Sequence, residues 1–238
     1  TQGDYRDELV LGMYLYLLNQ RLSEIAMQKD PPFVTAEIYV DQLTPKNTVY
    51  ALAFSPLNND FEHGFEAILT EINRVRQHGF LNSELERIKD DYLSYYQTMY
   101  DNRDDLDSAL LIEYFIESIV SKETITSIVF DYDLINAILP TITTEDLKTI
   151  TDQWFLNEGR KIVITAPEKN ADSLPTSDDL LSLLNQSSQQ KLAVYEEDDL
   201  TQRPLLELLP VPSKIIDEKY HQKLDTTEWR LANGVRVI

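Results

Sequence analysis

The chain has 238 residues, no cysteine and a formal net charge of −20, from 41 acidic and 21 basic residues. The lack of cysteine excludes disulfides, thiolate metal ligands and a cysteine nucleophile. The acidity disfavours binding to nucleic acids and to anionic membrane surfaces, because both attract positive charge. A well-solvated surface is the simplest interpretation of this charge, and attraction of cationic peptides is the alternative.

The first elements are a predicted helix and a predicted pair of strands. Residues 4–27 predict a helix, since apolar side chains recur at helical spacing: Leu9, Met13, Leu17, Leu18, Leu22 and Ile25. Pro31 and Pro32 disfavour helix after it. Residues 33–40 and 47–54 then alternate, and the polar connection between them contains Pro45 and Lys46. We therefore expect an antiparallel pair, with Val34, Ala36, Ile38 and Val40 on one face of the first strand and Tyr50, Leu52 and Phe54 on one face of the second.

Five further helices and a strand follow. Asn58, Asn59 and Asp60 are candidate caps for a helix that ends at Gly79, and Asn82 or Ser83 caps a long second one. The remaining predicted helices cover about 104–120, 130–139 and 143–155. The most apolar stretch, 109–120, carries Glu113 and Glu117 and is shorter than the ~20 apolar residues of a membrane span, so we predict a core helix there. RKIVITAP, residues 160–167, predicts a short buried strand.

This order of elements predicts an α+β fold, with helices packed on one face of a mostly antiparallel sheet. A split βαββαβ layout places a strand before its first helix, so we expect this domain to lack its first strand. Residues 168–224 are rich in Ser, Gln, Asp and Pro, with short leucine clusters. A stretch of that length without periodicity is unusual inside a compact domain, which favours an extended linker that docks its leucines onto a neighbour.

The chain ends with WRLANGVRVI, in which apolar residues alternate around Asn233 and Gly234. Asn-Gly between alternating runs predicts a two-residue hairpin turn with positive φ at both central residues. We predict a domain over 1–168, an extended interdomain linker over 169–224 and the first hairpin of a following domain over 225–238. The chain is thus expected to be an excerpt of a longer polypeptide.

One short motif suggests metal chemistry. HGFEA, from His63 to Ala67, matches the first four positions of the zinc motif H-x-x-E-H but has alanine in place of the second histidine. Such a site needs two imidazoles on one helical face, so we interpret His63 and Glu66 as exposed residues near a helix start. His78 precedes the helix-ending Gly79 and has a structural role, and His221 is solvated in the linker. No catalytic, cofactor-binding or metal-ligating residue is predicted in this chain.

Two other patterns have competing interpretations. The tyrosines could form a stacking platform, but their helical spacing and the acidity of the chain favour core and interdomain packing for Tyr14, Tyr16, Tyr92, Tyr95, Tyr96 and Tyr100. DNRDDLD, residues 101–107, lacks the central glycine and terminal glutamate of an EF-hand calcium loop, which favours a capped helix start.

Three segments in order resemble four-domain peptidases of the pitrilysin/insulinase family. TTEWRLANGVRVI is similar to the opening strand of that family's third domain. HGFLNSELERIKDDYLSYY is similar to its Gly-x-x-x-x-Glu-Leu-x-x-x-Lys helix turn, with Gly79, Glu84, Leu85 and Lys89 at the matching places. TTEDLKTITDQWFLNEGRKIVITAPE is similar to its closing helix and strand. The resemblance covers nearly the whole chain.

This resemblance implies a second, non-catalytic domain with a metallohydrolase-like fold (LuxS/mitochondrial processing peptidase-like), followed by a linker and the start of the third domain. In that family the first domain carries the zinc site, two halves enclose the peptide, and zinc-activated water attacks the scissile carbonyl. Zinc is therefore expected in the parent protein and not in this fragment. Arg21 falls at the position of an arginine that lies near the substrate in the family's fourth domain. The expected tyrosine is replaced, and Phe33, the nearest candidate, is at the wrong spacing, so that role is not assigned.

The resemblance also sets the expected partners and the alternatives. The partners are the other domains of the same chain and, in the parent, a peptide substrate; nucleic acid and a membrane span are not expected. One alternative is a structural or interaction domain of a catalytically inactive relative. A weaker one is an independent acidic peptide-binding module. Similarity to bacterial relatives implies a periplasmic or otherwise exported parent.

Overall fold

The protein is described by a computed structural model that covers residues 2–44, 47–121, 124–154, 159–197 and 211–238. The chain divides into two compact units, Thr1–Tyr195 and Glu196–Ile238. The first unit has the α+β fold that the order of elements predicted.

Helix α1, Gln2–Ala26, runs through the core of the first unit and confirms the predicted helix over 4–27. Its apolar stripe is buried because other helices and the sheet pack around it; the buried members are Leu9, Val10, Met13, Tyr14, Leu17, Leu18 and Leu22. On a neighbouring face, the Asn19 amide exchanges hydrogen bonds of 2.8 and 2.7 Å with the backbone of Ile38. Helix α1 is thereby fixed to the strand that follows it.

Strands β1, Phe33–Thr44, and β2, Asn47–Pro56, form the predicted antiparallel pair. The register is shifted between Phe33 and Thr35, as in a β-bulge, which interrupts the alternation of side chains there. As a result Phe33 is buried with Ile38, whereas Val34 is 57% exposed. The prediction that Val34 shares a face with Ile38 is therefore wrong.

The predicted helices between the sheet and residue 154 are confirmed, with small shifts at their ends. They are α2 Phe61–His78, α3 Asn82–Asp101, α4 Ser108–Ser121, α5 Ile128–Ile138 and α6 Thr144–Trp154. The prediction that 109–120 is a core helix is wrong, because its apolar side chains Ile116 and Ile119 are 56% and 68% exposed. The Asp60 side chain caps α2 by accepting from the His63 backbone N–H, and Gly79 ends that helix with φ of 72°. Within the part of the chain that the structure describes, no helix combines the length and apolar composition needed to cross a bilayer.

The predicted strand over 160–167 is wrong. These residues form no strand, and Ile162 and Val163 are 46% and 83% exposed. A strand needs a neighbouring strand for its backbone hydrogen bonds. In the described part of the first unit, β1 and β2 are the strands present, and they pair with each other. Phe155, where the preceding helix was predicted to end, lies outside the described residues.

The segment predicted to be extended after residue 168 contains helix α7, Ser177–Gln189, preceded by a short 3-10 helix, Glu168–Ser173. Thr176 and Asp179 form a capping box at the start of α7. This local helix signal was missed in the sequence analysis. Leu180 is buried where α7 packs on α2. The division into a domain over 1–168, a linker over 169–224 and a following hairpin stays a prediction.

The second unit contains an antiparallel sheet of strands β3 Ile215–His221, β4 Thr226–Leu231 and β5 Arg236–Val237. The hairpin around Asn233 and Gly234 is present, but its two-residue turn is wrong. Positive φ occurs at Gly234 and not at Asn233, and the bonds Gly234 N–H to Leu231 O and Leu231 N–H to Val235 O enclose three residues. This pattern is a type I turn followed by a glycine bulge. The backbone N–H of Asn233 donates to Ser213 Oγ.

Replacing Gly64 by alanine is expected to destabilise the first unit. The added Cβ would lie 2.7 Å from a Phe54 ring carbon and 3.2 Å from the Pro32 carbonyl oxygen, so α2 would be pushed off β2. We expect the free energy of unfolding to fall by about 1–3 kcal/mol in urea titrations.

Gly12→Ala is the matched control. Its added Cβ meets the Tyr92 hydroxyl at 3.0 Å, the tip of a side chain that can move. Alanine also favours helix over glycine by about 1 kcal/mol, so this variant should stay close to wild type. Equal losses for the two variants would contradict the close packing assigned to Gly64.

Candidate functional site

His63 and His78 lie at opposite ends of α2. His63 and Glu66 are exposed in the first turns of α2. The prediction for His221 is wrong: it lies on β3 with its Nε2 2.9 Å from Glu228 Oε2 on β4, a carboxylate whose pKa this bond lowers. Among the described residues, no three or more His, Asp or Glu side chains are arranged to hold a metal ion.

The most unusual polar feature is a buried ion cluster of Arg21, Glu71 and Glu84, which come from α1, α2 and α3. Arg21 is 2% exposed, and the two glutamates are each 4% exposed. The guanidinium binds Glu84 through two hydrogen bonds of 2.7 Å, from Nε to Oε1 and from Nη2 to Oε2. Its Nη1 donates to Glu71 Oε1 at 2.8 Å. This arrangement uses the planar fork of arginine, which lysine lacks.

Each glutamate also accepts a hydrogen bond from a donor other than Arg21. Glu84 lies in the first turn of α3, where its Oε2 also accepts the Leu81 backbone N–H at 2.6 Å. Glu71 Oε2 accepts from Arg74 Nε at 2.8 Å, which brings a second arginine to the edge of the cluster. Two arginines and two glutamates therefore balance, and a buried ion cluster is tolerated because every member is paired.

Two aromatic rings cover the Arg21 guanidinium. Its carbon lies 4.9 Å from the centre of the Phe80 ring and 3.9 Å from that of Tyr195. Burial alone would lower the pKa of Arg21, but its bonds to Glu84 and Glu71 outweigh burial and raise it. Burial and a hydrogen bond to Glu24 raise the pKa of Tyr195.

We assign this cluster a structural role. Arg21 is surrounded by its own glutamates and rings, so its guanidinium is committed to partners within the chain. The structure gives a reason for three of the residues that carried the family resemblance. Gly79 turns the chain at positive φ, Glu84 binds Arg21 and the Leu81 backbone N–H, and Leu85 is buried in the core. Arg21 and Glu71 are far apart in sequence, so no local sequence pattern predicts that they pair.

The six tyrosines singled out in the sequence differ in burial, and the acidic run 101–107 precedes a helix. Tyr14 is fully buried and Tyr92 and Tyr96 pack against the core, whereas Tyr16 and Tyr95 are more than half exposed. The preference for core packing is thus confirmed for three of them. The run 101–107 leads into α4, where Asp107 Oδ1 accepts the Ala109 backbone N–H, which confirms a capped helix start.

Comparisons with known proteins place this fold among zinc proteases. No family model matches the chain. Over its whole length the chain is 26% identical to the Zinc protease PQQL-like of Arabidopsis thaliana, and it covers 22% of that relative. The crystal structure of the periplasmic protease PqqL from Escherichia coli matches 99% of the chain with a TM-score of 0.72 and 18% identity, and 26% of that structure is covered.

The first half of the same Escherichia coli protease, solved separately, matches 83% of the chain with a TM-score of 0.72 and 18% identity, over 42% of that half. The chain therefore spans well under half of the length of the proteins it matches. Together the comparisons confirm the resemblance to zinc proteases of the pitrilysin/insulinase type and the α+β fold that it implied.

Replacing Arg21 by alanine is expected to cost far more stability than replacing Arg6. The Arg21 variant leaves Glu71 and Glu84 buried without their partner, and such a loss costs about 3–5 kcal/mol of the free energy of unfolding. Arg6 binds Asp146 at 2.8 Å, but both side chains are about 30% exposed. We expect the Arg6 variant to lose about 1 kcal/mol or less.

Urea unfolding monitored by circular dichroism measures both variants. Similar small losses for Arg21→Ala and Arg6→Ala would contradict the structural role assigned to the buried cluster.

Proposed function

We propose that this chain is part of a zinc metalloendopeptidase in which it forms a non-catalytic domain. The domain shapes and closes the chamber that holds the peptide, while the zinc site lies in an upstream domain of the parent. The observation that carries this proposal is that the chain matches zinc proteases over its whole length but spans only 22% of the relative from Arabidopsis thaliana.

The coverage of the Escherichia coli structures supports the placement within the parent. Coverage of this chain falls from 99% to 83% when only the first half of that protease is compared. The difference is similar to the share of the chain that forms the second unit, Glu196–Ile238. This agrees with a second domain at the end of the first half, followed by the opening strands of the third.

The surface of α4 supports partners within the parent chain. This helix presents apolar side chains to solvent: Ile112, Phe115, Ile116, Ile119 and Val120 are each 42–77% exposed. A contiguous apolar face on a single domain marks an interaction surface. We propose that other domains of the parent cover it. The Escherichia coli protein is described as periplasmic, and we propose an exported parent on that basis.

A catalytically inactive relative is the second candidate, because the chain itself carries nothing that distinguishes the two. The roughly 100–200 residues that precede it in the gene, the size of one domain, decide between them. An intact H-x-x-E-H motif there supports the peptidase, and its absence supports a structural or interaction protein.

The zinc content of the purified chain tests the location of the metal. Chain produced in zinc-supplemented medium and then dialysed is expected to retain only substoichiometric zinc and to cleave no fluorogenic peptide above a blank. His63→Ala serves as the matched variant and should give the same values. Stoichiometric zinc in the wild-type chain that His63→Ala abolishes would contradict the proposal.

A double variant of the parent tests the role of α4. Ile116→Glu with Ile119→Glu places charges on the exposed apolar face and is expected to lower peptidase activity and the Tm of the parent, since domain contacts are lost. The isolated chain should keep its helical content. Glu113→Gln, on an exposed position of the same helix, is the control, and parental activity unchanged in both variants would contradict a docked α4.

A further inference from the structure

The last turns of α2 hold the backbone of the segment that follows α7. Gln77 Nε2 donates to the Gln190 carbonyl oxygen at 2.7 Å, and Gln77 Oε1 accepts the Leu192 backbone N–H at 3.1 Å. His78 Nε2 lies 2.7 Å from the Leu192 carbonyl oxygen. One glutamine side chain thus binds both a donor and an acceptor of an extended backbone.

Two arginines of the same helix bind backbone atoms on either side of these contacts, one in the segment and one in the last turn of α7, which ends at Gln189. Arg74 Nη1 donates to the Ala193 carbonyl oxygen at 2.8 Å, and Arg76 Nη2 donates to the Ser188 carbonyl oxygen at 3.4 Å. Each of these contacts ends on a main-chain atom. The surface can therefore bind an extended peptide without regard to most of its side chains, as in peptide recognition through the backbone.

Tyr195 is the exception, because its side chain enters a defined slot. Its ring lies over the Arg21 guanidinium, 3.9 Å from the guanidinium carbon. Its hydroxyl donates to the Glu24 carboxylate. A cation beneath the ring and a carboxylate beyond the hydroxyl together favour tyrosine, since phenylalanine cannot donate the hydrogen bond and an aliphatic side chain gains neither interaction.

We propose that this surface of α1 and α2 is a peptide-binding site for extended segments that carry a tyrosine, and that residues 190–195 occupy it in cis. It is formed by Glu24 and Arg21 of α1 and by Arg74, Arg76, Gln77 and His78 of α2. The attached segment competes with any free peptide at a high effective concentration, of the order of mM for a short connection. The site is independent of the function proposed above for the whole chain.

A labelled peptide tests the site directly. The probe is the capped peptide SQQKLAVY, residues 188–195, with fluorescence anisotropy as the readout. The receptor is the whole chain carrying Leu192→Pro and Tyr195→Ala, which removes one backbone donor and the ring from the attached segment but leaves the site intact. We expect this opened chain to bind the probe at least about tenfold more tightly than wild type, because the tethered competitor is weakened.

Specificity is tested with a peptide in which the tyrosine is replaced, Tyr195→Ala, which should bind the opened chain at least about tenfold more weakly. Val194→Ala is the matched control on the segment, since Val194 is 52% exposed, and it should bind the probe as wild type does. Equal affinity of opened and wild-type chains, or of the two peptides, would overturn the proposal.

A second measurement uses the wild-type chain and does not depend on the folding of the opened variant. In the ¹⁵N-labelled chain, excess unlabelled probe is expected to shift the amide resonance of Leu192, because the attached segment is displaced from Gln77. The alanine peptide should leave this resonance in place. An unmoved Leu192 resonance at the highest probe concentration, or the same shift with both peptides, would overturn the proposal.

Discussion

The guanidinium of Arg21 is the point at which three helices of the first unit meet. It forms ion pairs with Glu84 at the start of α3 and with Glu71 in the middle of α2, and all three side chains are almost fully buried. Burying charges costs energy unless each is paired, so these helices can pack together only in the arrangement that satisfies the cluster. We therefore regard the cluster as a constraint on packing geometry more than as a source of net stability.

The same cluster connects the core to the segment that leaves the domain. Arg74 binds Glu71 on one side and the Ala193 carbonyl oxygen on the other, while Tyr195 closes over Arg21. The path of residues 190–195 is thus fixed by groups whose own positions are set by the buried ions.

Local sequence patterns were sufficient for helices α1 to α6 and for the strand pairing in the two predicted hairpins, because apolar spacing, caps and Gly79 act within a few residues. They missed helix α7, although its capping box is also a local signal. They failed where a distant partner decides the outcome. Residues 160–167 have the composition of a strand but no partner strand among the described residues, and His221 finds Glu228 only once β3 and β4 pair. The predictions for Val34 and for the turn at Gly234 were wrong for a more local reason. One additional residue in the strand or in the loop changes which side chains share a face and which turn type forms. For the site, sequence indicated Glu84 through the family motif, whereas its pairing with Arg21 required the fold.

The chain thus combines a fold shared with zinc proteases with a buried ion cluster that joins three of its helices. The central proposal is that the zinc of the parent is bound outside this chain. X-ray anomalous scattering at the zinc edge, recorded from crystals of the full-length parent, tests this most directly. We expect a strong peak ligated by residues that precede this chain in the parent sequence. A peak held by side chains of these 238 residues would contradict the central claim.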